Sequence, residues 1–157
     1  MTVRAFAGKP AGAGLPIARR LRDDAPGKPA REVAMTEIRT GGCRCGAVRF
    51  AAQGAPKFVA NCHCRDCRRA TGAAFSTWVG YESGLVSWTG DRAVHETPDA
   101  VRRGFCALCG TPLSYSGRQW AAETHLLIGT FDDPSGLIPT ADAFADERLP
   151  WAPLVRR

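Results

Sequence analysis

Short apolar runs broken by glycine and proline organise this chain. Val48 and Phe50 alternate with Arg49, the period of a half-buried strand. Residues 58–60 form a second short apolar run. Residues 65–70 have the spacing of one or two helical turns. Residues 74–80, with Phe75 and Trp78, read as a strand, and residues 85–88 read as another. A turn follows at Thr89-Gly90-Asp91. Residues 101–105, 113–115 and 125–131 are also expected to be extended. No stretch carries the apolar stripe of a long amphipathic helix. The pattern predicts an all-β domain of short strands, arranged as a small two-sheet architecture that begins near Thr36.

Residues 1–34 break this pattern. They hold Pro10, Pro16, Pro26, Pro29 and the run Ala11-Gly12-Ala13-Gly14, with few large apolar side chains. Such a segment buries too little surface to offset its ordering entropy. It is expected to be a disordered extension or an over-long start, with Met35 opening the domain of residues 35–157. A secretory signal would need an apolar stretch that is missing here. Asp23 and Asp24 argue against a transit peptide despite Arg19, Arg20 and Arg22.

The whole chain has 157 residues, which suits one domain plus a tail. The longest uncharged run, residues 104–117, is too short to span a bilayer and contains Gly110 and Pro112. The net charge is +6, and residues 1–34 carry +4 of it, from seven basic and three acidic residues. This is not the footprint of a nucleic-acid binder.

The chemistry lies in the seven cysteines, an odd number that argues against a pure disulfide framework. They fall into Cys43-x-Cys45, Cys62-x-Cys64-x2-Cys67 and Cys106-x2-Cys109. Short spacings bring two sulfurs to one metal at low chain-entropy cost. Gly46 follows Cys45 and Gly110 follows Cys109, whereas Arg68 follows Cys67. A glycine there permits the turn that aims backbone N–H groups at the sulfurs. Cys43, Cys45, Cys106 and Cys109 are therefore grouped as one closed, structural zinc site that staples the sheets. Cys62, Cys64 and Cys67 remain as three ligands with an open fourth position, the pattern of catalytic zinc.

Other readings of the cysteines compete with this one. A redox C-x-x-C at Cys64–Cys67 or Cys106–Cys109 lacks a βαβ context. His95 or His125 is a candidate fourth ligand for the second site; neither is assigned, because a lone strand histidine is more often packed or exposed. His63, wedged between two ligands, suits that role poorly. A zinc deaminase needs His-x-Glu before Pro-Cys-x-x-Cys, and Phe105 precedes Cys106 here. Arg44, Arg65, Arg68, Arg69, Arg102 and Arg103 crowd the clusters. Arg68 and Arg69 are the candidates for binding substrate carboxylates, and the others are read as charge balance and surface. Most of Trp78, Trp88, Trp120 and Trp151 are expected in the core.

At this point the motifs resemble a known family. Gly41-Gly42-Cys43-Arg44-Cys45-Gly46-Ala47-Val48-Arg49-Phe50 is similar to the opening motif of the glutathione-dependent formaldehyde-activating family, which includes centromere protein V. Asn61-Cys62-His63-Cys64-Arg65-Asp66-Cys67-Arg68-Arg69-Ala70-Thr71-Gly72 resembles its central motif, and Arg103-Gly104-Phe105-Cys106-Ala107-Leu108-Cys109-Gly110-Thr111-Pro112 its third. The resemblance runs from about Thr36 to Leu154. It implies a β-tent fold with two zinc ions, partitioned as the glycines suggest. It implies a carbon–sulfur lyase type activity that joins glutathione and formaldehyde as S-hydroxymethylglutathione. Asp142, before Ala143-Phe144, stands where the family often has a histidine, so substrate or rate is expected to differ here.

These readings predict that a small thiol reaches the Cys62/Cys64/Cys67 zinc and attacks a small aldehyde, with His63 and Asp66 as candidate proton carriers. The rival expectation is a non-catalytic zinc module that binds a thiol metabolite or a protein partner. A sulfoxide-reducing redox enzyme would need a reactive cysteine outside the metal sites, and all seven are assigned. Reduced thiols and the missing export signal point to the cytoplasm, with no membrane partner.

Overall fold

A computed structural model of the chain describes residues 37–155. The expectations for residues 1–34, and for Met35 as a start, lie outside the described residues.

Among the described residues, ten strands, one α-helix and four short 3-10 turns make up the regular structure. Strand β1 (Ile38–Gly42) pairs antiparallel with β2 (Arg49–Gln53). In β2, Phe50 and Ala52 are buried and their neighbours are more open, the alternation of a one-sided strand. Strand β5 (Val86–Thr89) completes a three-stranded sheet by pairing with β2, with Phe50 opposite Trp88.

The second sheet has seven strands. Strands β3 (Phe58–Cys62) and β4 (Ser76–Glu82) lie at its centre with β9 (Glu123–Leu127). Beyond β9 come β8 (Pro112–Ser116), β7 (Arg102–Cys106) and β6 (Arg92–Glu96). At the other edge β10 (Ala141–Ala143) runs parallel to β3, whereas every other pairing in the two sheets is antiparallel. Trp78, Val79, Gly80 and Tyr81 of β4 are all buried, because this strand is covered on both faces.

Residues of β3, β4 and β9 alternate between the two faces. Val59, Val79, Tyr81 and Leu126 point inward and form the main core with Phe50, Ala52, Phe131 and Leu137. Phe58, Trp78 and Leu127 point outward and pack with Tyr115, Cys62 and Cys67. A smaller cluster of Cys43, Val48, Cys106 and Leu113 joins the two sheets at one end.

The predicted helix is α1 (Arg65–Thr71). A cysteine caps its start: Cys64 Sγ accepts the Cys67 backbone N–H at 3.3 Å. Gly72, at φ 69°, ends it by donating to Arg68 O at 2.9 Å.

Three strands escaped the sequence pattern. Strand β1 ends in Thr-Gly-Gly, β6 reads Arg-Ala-Val-His-Glu, and β10 is only Ala-Asp-Ala. Each forms because a neighbour offers an edge, not because of its own apolar period. The expected extension over 125–131 also needs correction. Strand β9 stops at Leu127, and Ile128–Thr130 form a 3-10 turn closed by Thr130 Oγ1 to Leu127 O at 2.6 Å. That turn swings Phe131 into the core, where it bridges to Gly41.

Candidate metal centres and the site beside them

Two backbone turns carry the first cluster. Cys43 and Cys45 lie between β1 and β2, and Cys106 and Cys109 lie in and after β7. Gly46 N–H donates to Cys43 O at 3.0 Å, and Gly110 N–H donates to Cys106 O at 2.8 Å. Both glycines have left-handed backbone, φ 80° and 72°. The Val48 amide then points at Cys43 Sγ, 3.2 Å away. The four sulfurs gather within 4.8 Å of one another. Cys43 and Cys45 are 3.4 Å apart, and Cys45 and Cys106 are 3.7 Å apart.

The second cluster straddles the end of β3 and the start of α1. The sulfurs of Cys62, Cys64 and Cys67 also lie within 4.8 Å of one another, with Cys62 and Cys64 at 3.5 Å. Cys62 and Cys67 are buried and Cys64 is half-buried. Neither His95 nor His125 joins them. His95 is exposed on β6, and His125 Nε2 lies 2.9 Å from Glu123 Oε2.

Both clusters suit a thiophilic ion. Zinc–sulfur bonds of about 2.3 Å in a tetrahedron set sulfurs about 3.8 Å apart, close to the separations found here. The thiols also perturb one another. Hydrogen bonding from the Thr111 hydroxyl and amide draws Cys109 down to about 5. Cys45, held down by the Ala47 amide, is driven up to about 12 by Cys43 and Cys109. In the second cluster, hydrogen bonding from Cys62 outweighs burial and, with Cys64 and Arg103, brings Cys67 to about 6. Cys62 rises in turn, through that shared hydrogen bond and through burial. Neighbouring sulfurs that share protons in this way form a donor set ready for a cation. All seven cysteines are free thiols.

The two arginine candidates differ sharply. Arg68 turns back along its own loop: Nε donates to His63 O at 3.0 Å and Nη2 to Glu147 O at 3.4 Å. Arg69 is exposed and has no hydrogen-bond or ion-pair partner among the described residues. Asp66 is exposed and pairs with Arg103. His63 is fully buried, with Nε2 3.0 Å from Asp142 Oδ1 and Nδ1 without a partner. The tryptophan expectation fails for two of the four. Trp78 is buried and Trp88 packs against the core, but Trp120 and Trp151 are 45% and 72% exposed, on loops outside the sheets.

Sequence reasoning passed over three residues at this site. Arg103, read as surface charge, has a side chain only 17% exposed and lies beside Asp66 and Cys67. Its guanidinium sits 5.1 Å over the Tyr115 ring. Tyr115 continues into an aromatic wall with Trp78 and His125. Asp142 was noted as a departure, yet it organises the loop: it also accepts the Val155 amide at 2.8 Å and lies 3.4 Å from Asn61 Nδ2. Desolvation works against its charge, but His63, the Val155 amide and Asn61 hold its carboxyl below the usual range. The crowding of arginines around the cysteines was the available signal for Arg103. No sequence signal could place Asp142 beside His63, 79 positions away.

No curated protein matches the chain. The crystal structure of a Rhodobacter sphaeroides protein superposes with a TM-score of 0.51 at 17% identity, covering 66% of this chain and 99% of that one, a likeness of fold. The family described as glutathione-dependent formaldehyde-activating enzyme matches residues 38–147, a span that takes in every strand and both cysteine clusters. By that match the chain belongs to the glutathione-dependent formaldehyde-activating enzyme family.

Proposed function

We propose that this protein is a zinc-dependent carbon–sulfur lyase type enzyme joining glutathione, or a similar small thiol, to formaldehyde. The observation that carries the reading is a three-thiol cluster with no fourth protein ligand among the described residues, flanked by arginine and aromatic side chains. Cys62, Cys64 and Cys67 would hold the catalytic zinc, and Cys43, Cys45, Cys106 and Cys109 the structural one. Bound zinc supplies Lewis acidity and favours a thiolate at neutral pH.

The chain's own groups supply the rest. The buried Asp142–His63 contact fixes the loop that carries Cys62 and Cys64. Arg103 places a positive charge beside Cys67, which favours anionic sulfur there. Trp78, Phe58 and Tyr115 form an apolar wall that limits water. Arg69, exposed and uncommitted, is the better placed of the two arginines to meet a thiol's carboxylate; Arg68 fixes the loop. Of the two proton-carrier candidates, Asp66 is 73% exposed and His63 is fully buried, so Asp66 takes that role. In the reaction the S–H bond breaks, an S–C bond forms to the aldehyde carbon, and the proton ends on the former carbonyl oxygen. No electrons change hands, so no redox partner is needed. Free thiols at all seven positions fit a reducing compartment, and we place the protein in the cytoplasm.

The test is exchange NMR of carbon-13 formaldehyde with glutathione, with the spontaneous reaction as background. The intact protein accelerates formation of S-hydroxymethylglutathione, and Cys64→Ser loses that acceleration. Equal acceleration in both overturns the catalytic assignment.

A further inference from the structure

Behind the sheet from the three-thiol cluster lies a hollow of about 350 Å³, between β5 and strands β6 to β9. Register settles which side chains face it. Val94 lies opposite Gly104, Gly104 opposite Ser114, and Arg102 opposite Ser116, so these share the inward face. Arg103 and Tyr115 alternate to the other face by register, and Tyr115 also borders the hollow.

Arg92 crosses this hollow. Its stem lies over Gly104, where a Cβ would come 2.8 Å from Arg92 Cδ and 2.9 Å from Nη1. The absence of a side chain there is what admits the arginine. Its guanidinium stacks 4.0 Å from the Trp88 ring, and Nη1 donates to Ser114 Oγ at 2.6 Å. Among the described residues no carboxylate pairs with Arg92, whereas Arg39, Arg49, Arg102 and Arg103 each have one. Among the described residues the other guanidinium nitrogens have no hydrogen-bond partner, and neither is sealed from solvent.

A half-buried guanidinium without a counter-ion is costly, and burial lowers the pKa of Arg92 accordingly. A second cation, Arg102, stands on the same wall, and Glu96 answers only that one, at 3.2 Å. Ser83, Ser114, Ser116 and Thr124 are among the other residues that line it, with the Ser83 and Thr124 hydroxyls 3.0 Å apart. One arginine fork without a counter-ion, a second cation already paired with Glu96, and nearby hydroxyl residues match one chemistry, an oxyanion held by charge-assisted hydrogen bonds.

We infer that the hollow between the two sheets binds a small molecule through a phosphate or carboxylate group, with Arg92 as its principal anchor. The site lies on the opposite face of the sheet from the thiol cluster, so its failure would leave the proposed reaction untouched. The volume suits a small metabolite and excludes a macromolecule.

The experiment is a nitrogen-15 NMR titration of the full, zinc-loaded protein at constant ionic strength, with chloride as control. One arm uses inorganic phosphate and the other succinate. Saturable shifts are expected at the amides of Gly104, Ser114 and Ser116. Saturation by phosphate alone assigns a phosphate ester, and by succinate alone a carboxylate. Saturation by both assigns an oxyanion pocket without preference. Saturation by neither overturns the inference. Arg92→Gln should weaken binding about tenfold or more. Ser116→Ala, which removes one hydroxyl of the lining and no side-chain hydrogen bond among the described residues, should weaken it several-fold and decides the matter if Arg92→Gln fails to fold. Unchanged affinity in a folded Arg92→Gln, or in Ser116→Ala when that variant decides, overturns the inference.

Discussion

Gly46 and Gly90 both adopt left-handed backbone, at φ 80° and 79°, in very different surroundings. A Cβ on Gly46 would meet nothing within 4 Å. A Cβ on Gly90 would lie 1.9 Å from Ala47 O, a backbone atom that cannot step aside alone. Gly46→Ala therefore carries the conformational cost only, about 1–2 kcal/mol. Gly90→Ala adds a clash that must move the β1–β2 turn bearing Cys43 and Cys45, so it costs more. Denaturant unfolding of the zinc-loaded variants checks the order, and a larger loss for Gly46→Ala would contradict it. The cysteine spacing made Gly46 legible as a knuckle residue. At Gly90 a turn was legible but not the carbonyl it presses on, because Ala47 is distant in the chain.

Helix α1 separates two arginines that look equivalent in sequence. Consecutive helical residues point about 100° apart, so Arg68 reaches the His63 and Glu147 carbonyls while Arg69 faces solvent. Arg68→Ala should cost about 1 kcal/mol through lost charge-assisted hydrogen bonds. Arg69→Ala should leave stability within about 0.5 kcal/mol and raise KM for glutathione. Thermal unfolding together with steady-state kinetics separates the two. An unchanged KM in Arg69→Ala would remove this residue from the substrate site.

On the scale of the whole molecule the two cysteine clusters do different mechanical work. The four-thiol cluster joins the β1–β2 turn of one sheet to the β7–β8 turn of the other, across 61 positions from Cys45 to Cys106. The three-thiol cluster closes only a few residues. Loop-closure entropy favours the longer staple by about 2 kcal/mol. Metal binding is folding free energy when the site exists only in the folded chain. Cys106→Ser is therefore expected to lower the melting temperature more than Cys64→Ser, and a chelator should bring the wild type below both. Native mass spectrometry should count two zinc ions in the wild type and one in Cys64→Ser. Equal melting temperatures for the two variants would show that the four-thiol cluster does not staple the sheets.

Alternation and turn residues alone determined the all-β class, the short helix and the core strands β2, β3 and β4. Those signals are local: period two, a Gly or Pro at each boundary, and apolar side chains with one place to go. The membership of each cluster was legible for a similar reason: the four-thiol set comes as two short pairs followed by Gly46 and Gly110, and Cys62, Cys64 and Cys67 lie within one six-residue run. Tertiary structure alone decided the rest. Strands β1, β6 and β10 exist because a neighbouring edge satisfies their backbone groups, which no apolar period announces. Arg103 entered the thiol site, Asp142 met His63, and Arg92 crossed Gly104 because chain-distant strands came into register. Two tryptophans stayed outside because they sit on loops that no sheet covers. Local patterning sets which elements can form, but only their packing sets which charges and rings meet, since those contacts depend on distances that sequence spacing does not contain.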